Sequence, residues 1–268
     1  MLVACAQLCS TADVARNLAA VERQVRRATA LGAGLVATPE NTTFLGPSAT
    51  KIALAEPLNG PTNRALGDIA RSARVWMLVG SVAEAGDGQR CYNTSLLFDA
   101  EGQLRASYRK IHLFDVDIPG GPSFAESSMV IPGDSLVTAD SPLGRIGLSI
   151  CFDLRFPEHY AGLVARGATV LTVPSAFTVP TGKDHWHVLL RARAIESQAY
   201  VLAPAQDGQH DDSPNPRRSY GHSLIVDPWG RVLADAGEGD PDGLALADID
   251  PTLVSTIRAA IPMRRPTA

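Results

Sequence analysis

The chain has 268 residues, 45% hydrophobic and 19% charged, with a formal net charge of −4. That balance describes an ordinary globular protein with enough apolar surface for a real core, and it excludes a disordered or collagen-like chain. The mild acidity argues against nucleic acid or an anionic membrane surface as a partner, and no apolar run reaches bilayer-spanning length. Met1-Leu2-Val3-Ala4 runs directly into a strand pattern, with no charged segment and cleavage site, so a cytoplasmic location is expected. Four cysteines, Cys5, Cys9, Cys91 and Cys151, contain no C-x-x-C pair. A disulfide framework or a cysteine-rich zinc site is not expected, and the first three read as small core residues.

Residues 2–8 read as a strand that starts in the core. Thr11 or Asp13 can cap a helix to about residue 31, with Val14, Leu18, Val21 and Val25 at helical spacing. A short strand, 34–38, delivers Pro39-Glu40-Asn41 at its C-terminal end. Residues 43–60, rich in Gly and Pro, form a loop over that end. A helix at 61–73 and a strand at 75–82 follow. The alternating stretches 92–98 and 103–108 form an antiparallel hairpin around Asp99-Ala100-Glu101-Gly102, and Lys110 stands just past it. Residues 111–134 are long and irregular, which inside a compact unit marks a functional loop. A strand at 145–150, a helix at 157–166, a strand at 168–173, a helix at 185–198 and a strand at 200–204 come next. Residues 206–219 are a polar loop. A second hairpin, 223–226 with 232–236, is followed by a strand at 243–249 and a helix at 251–260. The tail, 262–268, reads as an arm that docks on the chain or on a partner subunit. There is no linker, tandem repeat or low-complexity block, so one unit with sheets inside and helices outside is expected over residues 1–268; one-sheet and two-sheet arrangements both fit the pattern.

The stretch Arg145-Ile146-Gly147-Leu148-Ser149-Ile150-Cys151-Phe152-Asp153-Leu154-Arg155-Phe156-Pro157-Glu158 carries the strongest chemical signal. An apolar strand stops abruptly at Cys151 and a helical pattern opens within six residues. A cysteine on such a turn is held exposed near the free N–H groups of a helix start, where a thiolate or an oxyanion is stabilised. Glu40 and Lys110 also follow strands, and polar side chains gathered at C-terminal strand ends are the expected geometry of an α/β active site.

With Thr38-Pro39-Glu40-Asn41, Tyr108-Arg109-Lys110-Ile111-His112-Leu113-Phe114-Asp115 and Ile150-Cys151-Phe152-Asp153-Leu154-Arg155-Phe156-Pro157-Glu158, the chain resembles the three signature stretches of the carbon–nitrogen hydrolase (nitrilase-like) superfamily. The likeness continues through Pro174-Ser175-Ala176-Phe177, Leu190-Arg191-Ala192-Arg193-Ala194-Ile195-Glu196 and Tyr220-Gly221-His222-Ser223. It is greatest to the amidase branch. Phe152-Asp153 stands where true nitrilases carry Trp-Glu, which argues against a nitrile substrate. The resemblance implies an α/β fold, a four-layer αββα sandwich with two central sheets and helices outside, paired into a homodimer or larger homo-oligomer. It also implies roles. Cys151 attacks an amide carbonyl, and Glu40 takes the thiol proton and later gives it to departing ammonia. Lys110 and the Phe152 N–H hold the oxyanion. Glu126 matches the family's second glutamate and orients Lys110 or the substrate. No metal or organic cofactor is required.

The implied substrate is a small carboxylate-bearing amide, with deaminated glutathione first and the ω-amide of a 2-oxo acid second. An N-carbamoyl amino acid is a further alternative. Arg155, four residues past Cys151, is the candidate for a substrate carboxylate, beside Phe152 and Phe177. Arg191 and Arg193 share its chemistry but also suit ion pairs within the fold. Lys110 is expected to lower the Cys151 pKa, and burial against charge is expected to tune Glu40. His187 replaces a usual Glu, which weakens inference about substrate contacts there. A zinc site built from His185, His187, His210 and His222 is disfavoured, because residues 185 and 187 do not share a helix face. His112 could pair with a cysteine as a base, but a bracing role fits its loop better. A non-catalytic binding protein on the same fold conflicts with the intact Glu40–Lys110–Cys151 set.

Overall fold

The computed structural model describes residues 1–117, 123–211 and 217–263. The first half runs β1 (Leu2–Ala6), α1 (Val14–Ala30), β2 (Leu35–Ala37), α2 (Ser48–Ala53), α3 (Pro61–Ala73), β3 (Trp76–Ala85), β4 (Cys91–Phe98) and β5 (Leu104–Arg109). A small hairpin follows, β6 (Asp115–Asp117) with β7 (Ser123–Ala125). The second half runs β8 (Thr138–Ser141), β9 (Gly144–Gly147), a 3-10 turn at Cys151–Arg155, α4 (Pro157–Ala165), β10 (Val170–Thr172), α5 (Val179–Ser197) and β11 (Tyr200–Ala203). Then come β12 (Asp207–Gln209), β13 (Arg218–Tyr220), β14 (Leu224–Val226), β15 (Val232–Asp235), β16 (Leu244–Asp248) and α6 (Pro251–Ala260).

Two six-stranded sheets result, in the orders β16-β1-β2-β3-β4-β5 and β15-β14-β11-β10-β9-β8. Each has a parallel centre, β1-β2-β3 in one and β9-β10-β11 in the other, flanked by antiparallel strands. Strand alternation decides the layering. Val3 and Cys5 of β1 join a core with Ile146, Ile150 and Val170 from the second sheet. Ala4 and Ala6, one residue out of phase, pack with Val21 and Val25 of α1 and Leu66 and Ala70 of α3. On the far side α4 and α5 cover β9, β11 and β14. The layers are therefore α–β–β–α, as the resemblance implied.

Local signals explain most boundaries. Asp13 caps α1 by accepting the Arg16 N–H at 3.0 Å. Proline in the first turn starts α3, α5 and α6, where its missing N–H costs nothing. Three expectations need correction. The strand expected at 145–150 is regular only to Gly147; the Leu148 N–H still bonds to the Val137 carbonyl, and the Ile150 N–H turns to the Asp153 side chain. The helix expected from 185 begins at Val179. Pro180 and Gly182 resemble loop residues in sequence, but Pro180 fits a first turn and Gly182 lies against Tyr220, where a Cβ would meet the ring at 2.3 Å. The 43–60 loop contains α2. Parts of three other expected segments, at 118–122 in the 111–134 loop, 212–216 in the 206–219 loop and 264–268 in the tail, lie outside the described residues.

Candidate active site

Glu40 sits just past β2, on a loop held from both sides. The Asn41 backbone N–H donates to Ser81 Oγ at 2.8 Å, and the Thr38 and Thr42 hydroxyls are 3.0 Å apart. Asn41 adopts a left-handed conformation, φ 58°. Gly80 lies directly beneath: a Cβ there would come within 2.2 Å of the Thr38 carbonyl oxygen, so only glycine lets the loop descend onto β3. The loop points the Glu40 carboxylate into the gap between the sheets. There it accepts from Lys110 Nζ at 3.1 Å, Asn93 Nδ2 at 3.0 Å and the Ala176 N–H at 3.1 Å.

Lys110 emerges at the end of β5 and is 2% exposed. Its ammonium also donates to Glu126 Oε2 at 2.8 Å, so it lies between two carboxylates. Glu126 opens a short 3-10 turn and accepts the Phe114 N–H at 2.7 Å. Asn93, from β4, donates to both glutamates, at 3.0 and 3.2 Å. Burial disfavours the Lys110 charge, but Glu126 and Glu40 outweigh it and push its pKa above the ordinary lysine value. Burial likewise favours neutral Glu40, yet the charge and hydrogen bond of Lys110, then Lys51 and the Cys151 thiol, hold it below its ordinary value. The resting pair is a carboxylate beside an ammonium.

Cys151 heads its 3-10 turn at φ 50°, in the left-handed region that a side chain with a Cβ enters at a cost. The neighbouring Asp153 explains how this is maintained. Fully buried, Asp153 accepts the Ile150 N–H and the Tyr108 hydroxyl at 2.8 Å each. Its other oxygen takes the His112 N–H at 3.0 Å and faces His112 Nδ1 at 2.7 Å. Burial would raise the Asp153 pKa, but the His112 hydrogen bond, the nearby His159 and the Ile150 N–H lower it on balance. The thiol behaves differently. Burial raises the Cys151 pKa and the Glu40 charge adds to the rise, while Lys110 pulls the other way and loses. The expectation that Lys110 lowers this pKa is correct for its own contribution and wrong for the sum. Burial and the Glu40 charge thus favour the protonated form of the sulfur.

These groups line a cavity of about 290 Å³. Phe152, Arg155 and Phe177 line it as well, with the Arg155 guanidinium 5.8 Å and 5.6 Å from the two ring centroids. Arg155 also lies 3.2 Å from His185 Nδ1, and burial lowers its pKa. The other arginines serve the fold: Arg191 donates to the Gly230 carbonyl, and Arg193 donates to the Leu154 carbonyl and pairs with Glu196. His112 braces the Cys151 turn through Asp153 and stacks on Phe156 at 3.7 Å. The four histidines weighed for zinc do not converge. His210 is buried against the Ser10 carbonyl and Ser219. His187 and His222 meet on Asp235, at 2.9 and 3.0 Å. Three residues were missed in the sequence: Asn93, Asp153 and the cavity-lining Lys51 of α2. Asn93 and Asp153 are buried polar side chains in apolar surroundings, a signal legible only once burial is known.

Glu40, Lys110 and Cys151 line one cavity, and comparison with known proteins gives the class of protein. The family model described as carbon-nitrogen hydrolase matches residues 2–259. The chain belongs to the carbon–nitrogen hydrolase family and is a hydrolase of carbon–nitrogen bonds other than peptide bonds. It is 43% identical, over 265 residues, to the deaminated glutathione amidase of a Synechocystis species, covering 97% of this chain and 96% of that one. Nit3 of Saccharomyces cerevisiae, a member of branch 10 of the nitrilase superfamily, superposes with a TM-score of 0.86 at 30% identity, over 99% of this chain and 95% of that one. An amidase from Nesterenkonia sp. AN1, whose structure shows acrylamide added to the active-site cysteine, gives 0.80 at 26% identity, over 97% of each chain.

Proposed function

We propose that the chain is a deaminated glutathione amidase in which Cys151, Glu40 and Lys110 form the catalytic set and Glu126 positions Lys110. The carrying observation is the buried Glu40 carboxylate held by Lys110 at 3.1 Å, with Cys151 lining the same cavity. As the Cys151 sulfur attacks the amide carbon, its proton passes to Glu40. Lys110 Nζ and the Phe152 N–H take the negative oxygen. The carbon–nitrogen bond then breaks, Glu40 returns the proton to the departing nitrogen, and an acyl thioester remains. Water, losing a proton to Glu40, cleaves the thioester and restores the thiol. A protonated resting thiol suits this sequence, since Glu40 must start as the base.

Deaminated glutathione carries its scissile amide between a 2-oxo acid and the cysteinyl nitrogen. The departing amine is therefore cysteinylglycine, where a simple ω-amide would release ammonia. Arg155, beside Phe152 and Phe177 and near Cys151, receives the 2-oxo carboxylate. We read residues 1–268 as one catalytic domain that works as a cytoplasmic homo-oligomer. Support for association is the solvent-facing apolar surface of Val188, Ile195 and Trp229. No helix among the described residues is long and apolar enough to cross a membrane. The test is release of 2-oxoglutarate from deaminated glutathione and from 2-oxoglutaramate, with an N-carbamoyl amino acid and a nitrile for comparison and Cys151→Ala as control. Highest kcat/KM on deaminated glutathione is expected; preference for 2-oxoglutaramate or the carbamoyl compound overturns the assignment.

A further inference from the structure

Four cations and two carboxylates line the cavity, which leaves it two positive charges in excess. Lys110 lies between Glu40 and Glu126, which outnumber it by one charge, and Arg155 is assigned above. Lys51 and Arg217 are the cations whose positions that scheme does not use, and Lys51 is the one held beside Glu40, through Asn41. It comes from α2, a helix with no buried residue, yet its ammonium turns inward and donates to Asn41 Oδ1 at 2.7 Å. That partner is a neutral amide, and no carboxylate among the described residues makes an ion pair with Lys51. Burial lowers its pKa, opposed by the charges of Cys91, Glu126 and Glu40. A partly desolvated ammonium with a neutral partner is poorly compensated until an anion arrives.

Its place in the cavity indicates which anion. Arg155 lies against Phe152 and Phe177, with Phe152 next to Cys151, whereas Lys51 is held by Asn41, the residue after Glu40. Glu40 delivers the proton to the departing nitrogen, so the amine half of the substrate lies on the Glu40 side and the acyl half on the Arg155 side. We infer that Lys51 anchors a carboxylate on the amine half of the substrate, so that the cavity takes an amide with one acid group on each side of the scissile bond. The inference rests on the reading of the chain as a deaminated glutathione amidase, whose substrate carries its second carboxylate on the glycine. The two excess charges then match a dianion. Arg217, the fourth cation, lines the same cavity and is the rival anchor.

The experiment compares wild type, Lys51→Met, Lys51→Arg and Arg217→Met on deaminated glutathione and on the same compound with its glycine carboxyl converted to a primary amide. Loss of a charge-assisted hydrogen bond predicts that Lys51→Met raises KM for deaminated glutathione about tenfold to hundredfold, with kcat much less affected. The loss on deaminated glutathione should exceed the loss on the amidated compound by about tenfold or more, and Lys51→Arg should recover part of it. Equal losses on both compounds would mean that Lys51 only holds Asn41, and would overturn the inference alone. So would a selective loss in Arg217→Met with none in Lys51→Met. A wild type that ignores deaminated glutathione while hydrolysing 2-oxoglutaramate would overturn the functional reading beneath it.

Discussion

Asp153→Asn is the substitution whose outcome the structure specifies most closely. The carboxylate accepts from four donors, and the variant amide can accept on only one side. If its NH2 faces Ile150 and Tyr108, the tyrosine hydroxyl can turn and accept, but the buried Ile150 N–H loses its partner. If the NH2 faces His112, the ring can change tautomer, but the His112 backbone N–H is left opposed. Either way one backbone donor is stranded, at about 1–3 kcal/mol, and the remaining bonds lose their charge assistance. A total near 3 kcal/mol is a large part of a typical stability and lowers Tm by roughly 5–10 °C. The expected result by circular dichroism is a drop of that size, with turnover down at least about tenfold because the Ile150–Cys151 turn is no longer pinned. Since Asp153 is ionised more readily folded than unfolded, its contribution is present above its ordinary pKa of 3.8 and fades as pH falls below it. Wild-type Tm and turnover in the variant at pH 7 would refute the view that Asp153 holds the nucleophile turn.

Other outcomes follow from the same geometry. Cys151→Ala should abolish turnover and leave the circular dichroism spectrum and Tm close to wild type; residual turnover would remove the nucleophile assignment. Lys110→Met leaves the buried Glu40 and the half-buried Glu126 without their shared cation, so kcat should fall about a thousandfold and the acidic limb of the pH–rate profile should move upward; an unmoved limb would contradict the charge coupling. Because the thiol pKa is raised, iodoacetamide should alkylate Cys151 progressively faster from pH 7 to 9 in the free enzyme, and a plateau in that range would show a thiolate at rest. For Asp235, burial is outweighed by bonds from His187, the Gly237 N–H and His222, and its pKa is about 2. A lowered acid contributes stability above pH 3.8 and loses it as pH falls toward 2. The Tm difference between wild type and Asp235→Asn should therefore shrink over that interval, and a constant difference would exclude the linkage.

The three principal candidate residues were legible because each follows a strand inside a distinctive local sequence. Glu40 follows Thr38-Pro39, Lys110 precedes Ile111-His112, and Cys151 interrupts an apolar run. The layering was less legible: Val3 and Ala4 look alike in sequence, and their opposite faces have meaning only when both have neighbours. Asn93 carried no signal, since its partners lie 53 residues before it and 33 after it. The charge state of Cys151 was out of reach for another reason. It is a balance of burial, Glu40 and Lys110, and the largest of these is a property of the packed interior. His187 was visible as a departure from the family pattern; its partner, Asp235, became apparent only when α5 met the end of β15.

The Tyr108 hydroxyl, from the first sheet, reaches Asp153 beside the nucleophile carried by the second. Glu40 and Lys110 belong to one slab of the sandwich and Cys151 to the other, so the slabs act as the jaws of a caliper. The sulfur-to-carboxylate gap therefore spans the plane where the slabs meet, and the Tyr108–Asp153 hydrogen bond crosses that plane. Replacements deep between the slabs, such as Leu97→Ala or Ile146→Val, touch no substrate, yet they would be read out as misalignment, with proton transfer slowed. Sites of adaptation in this enzyme therefore extend inward from the mouth, along the plane where its two halves meet.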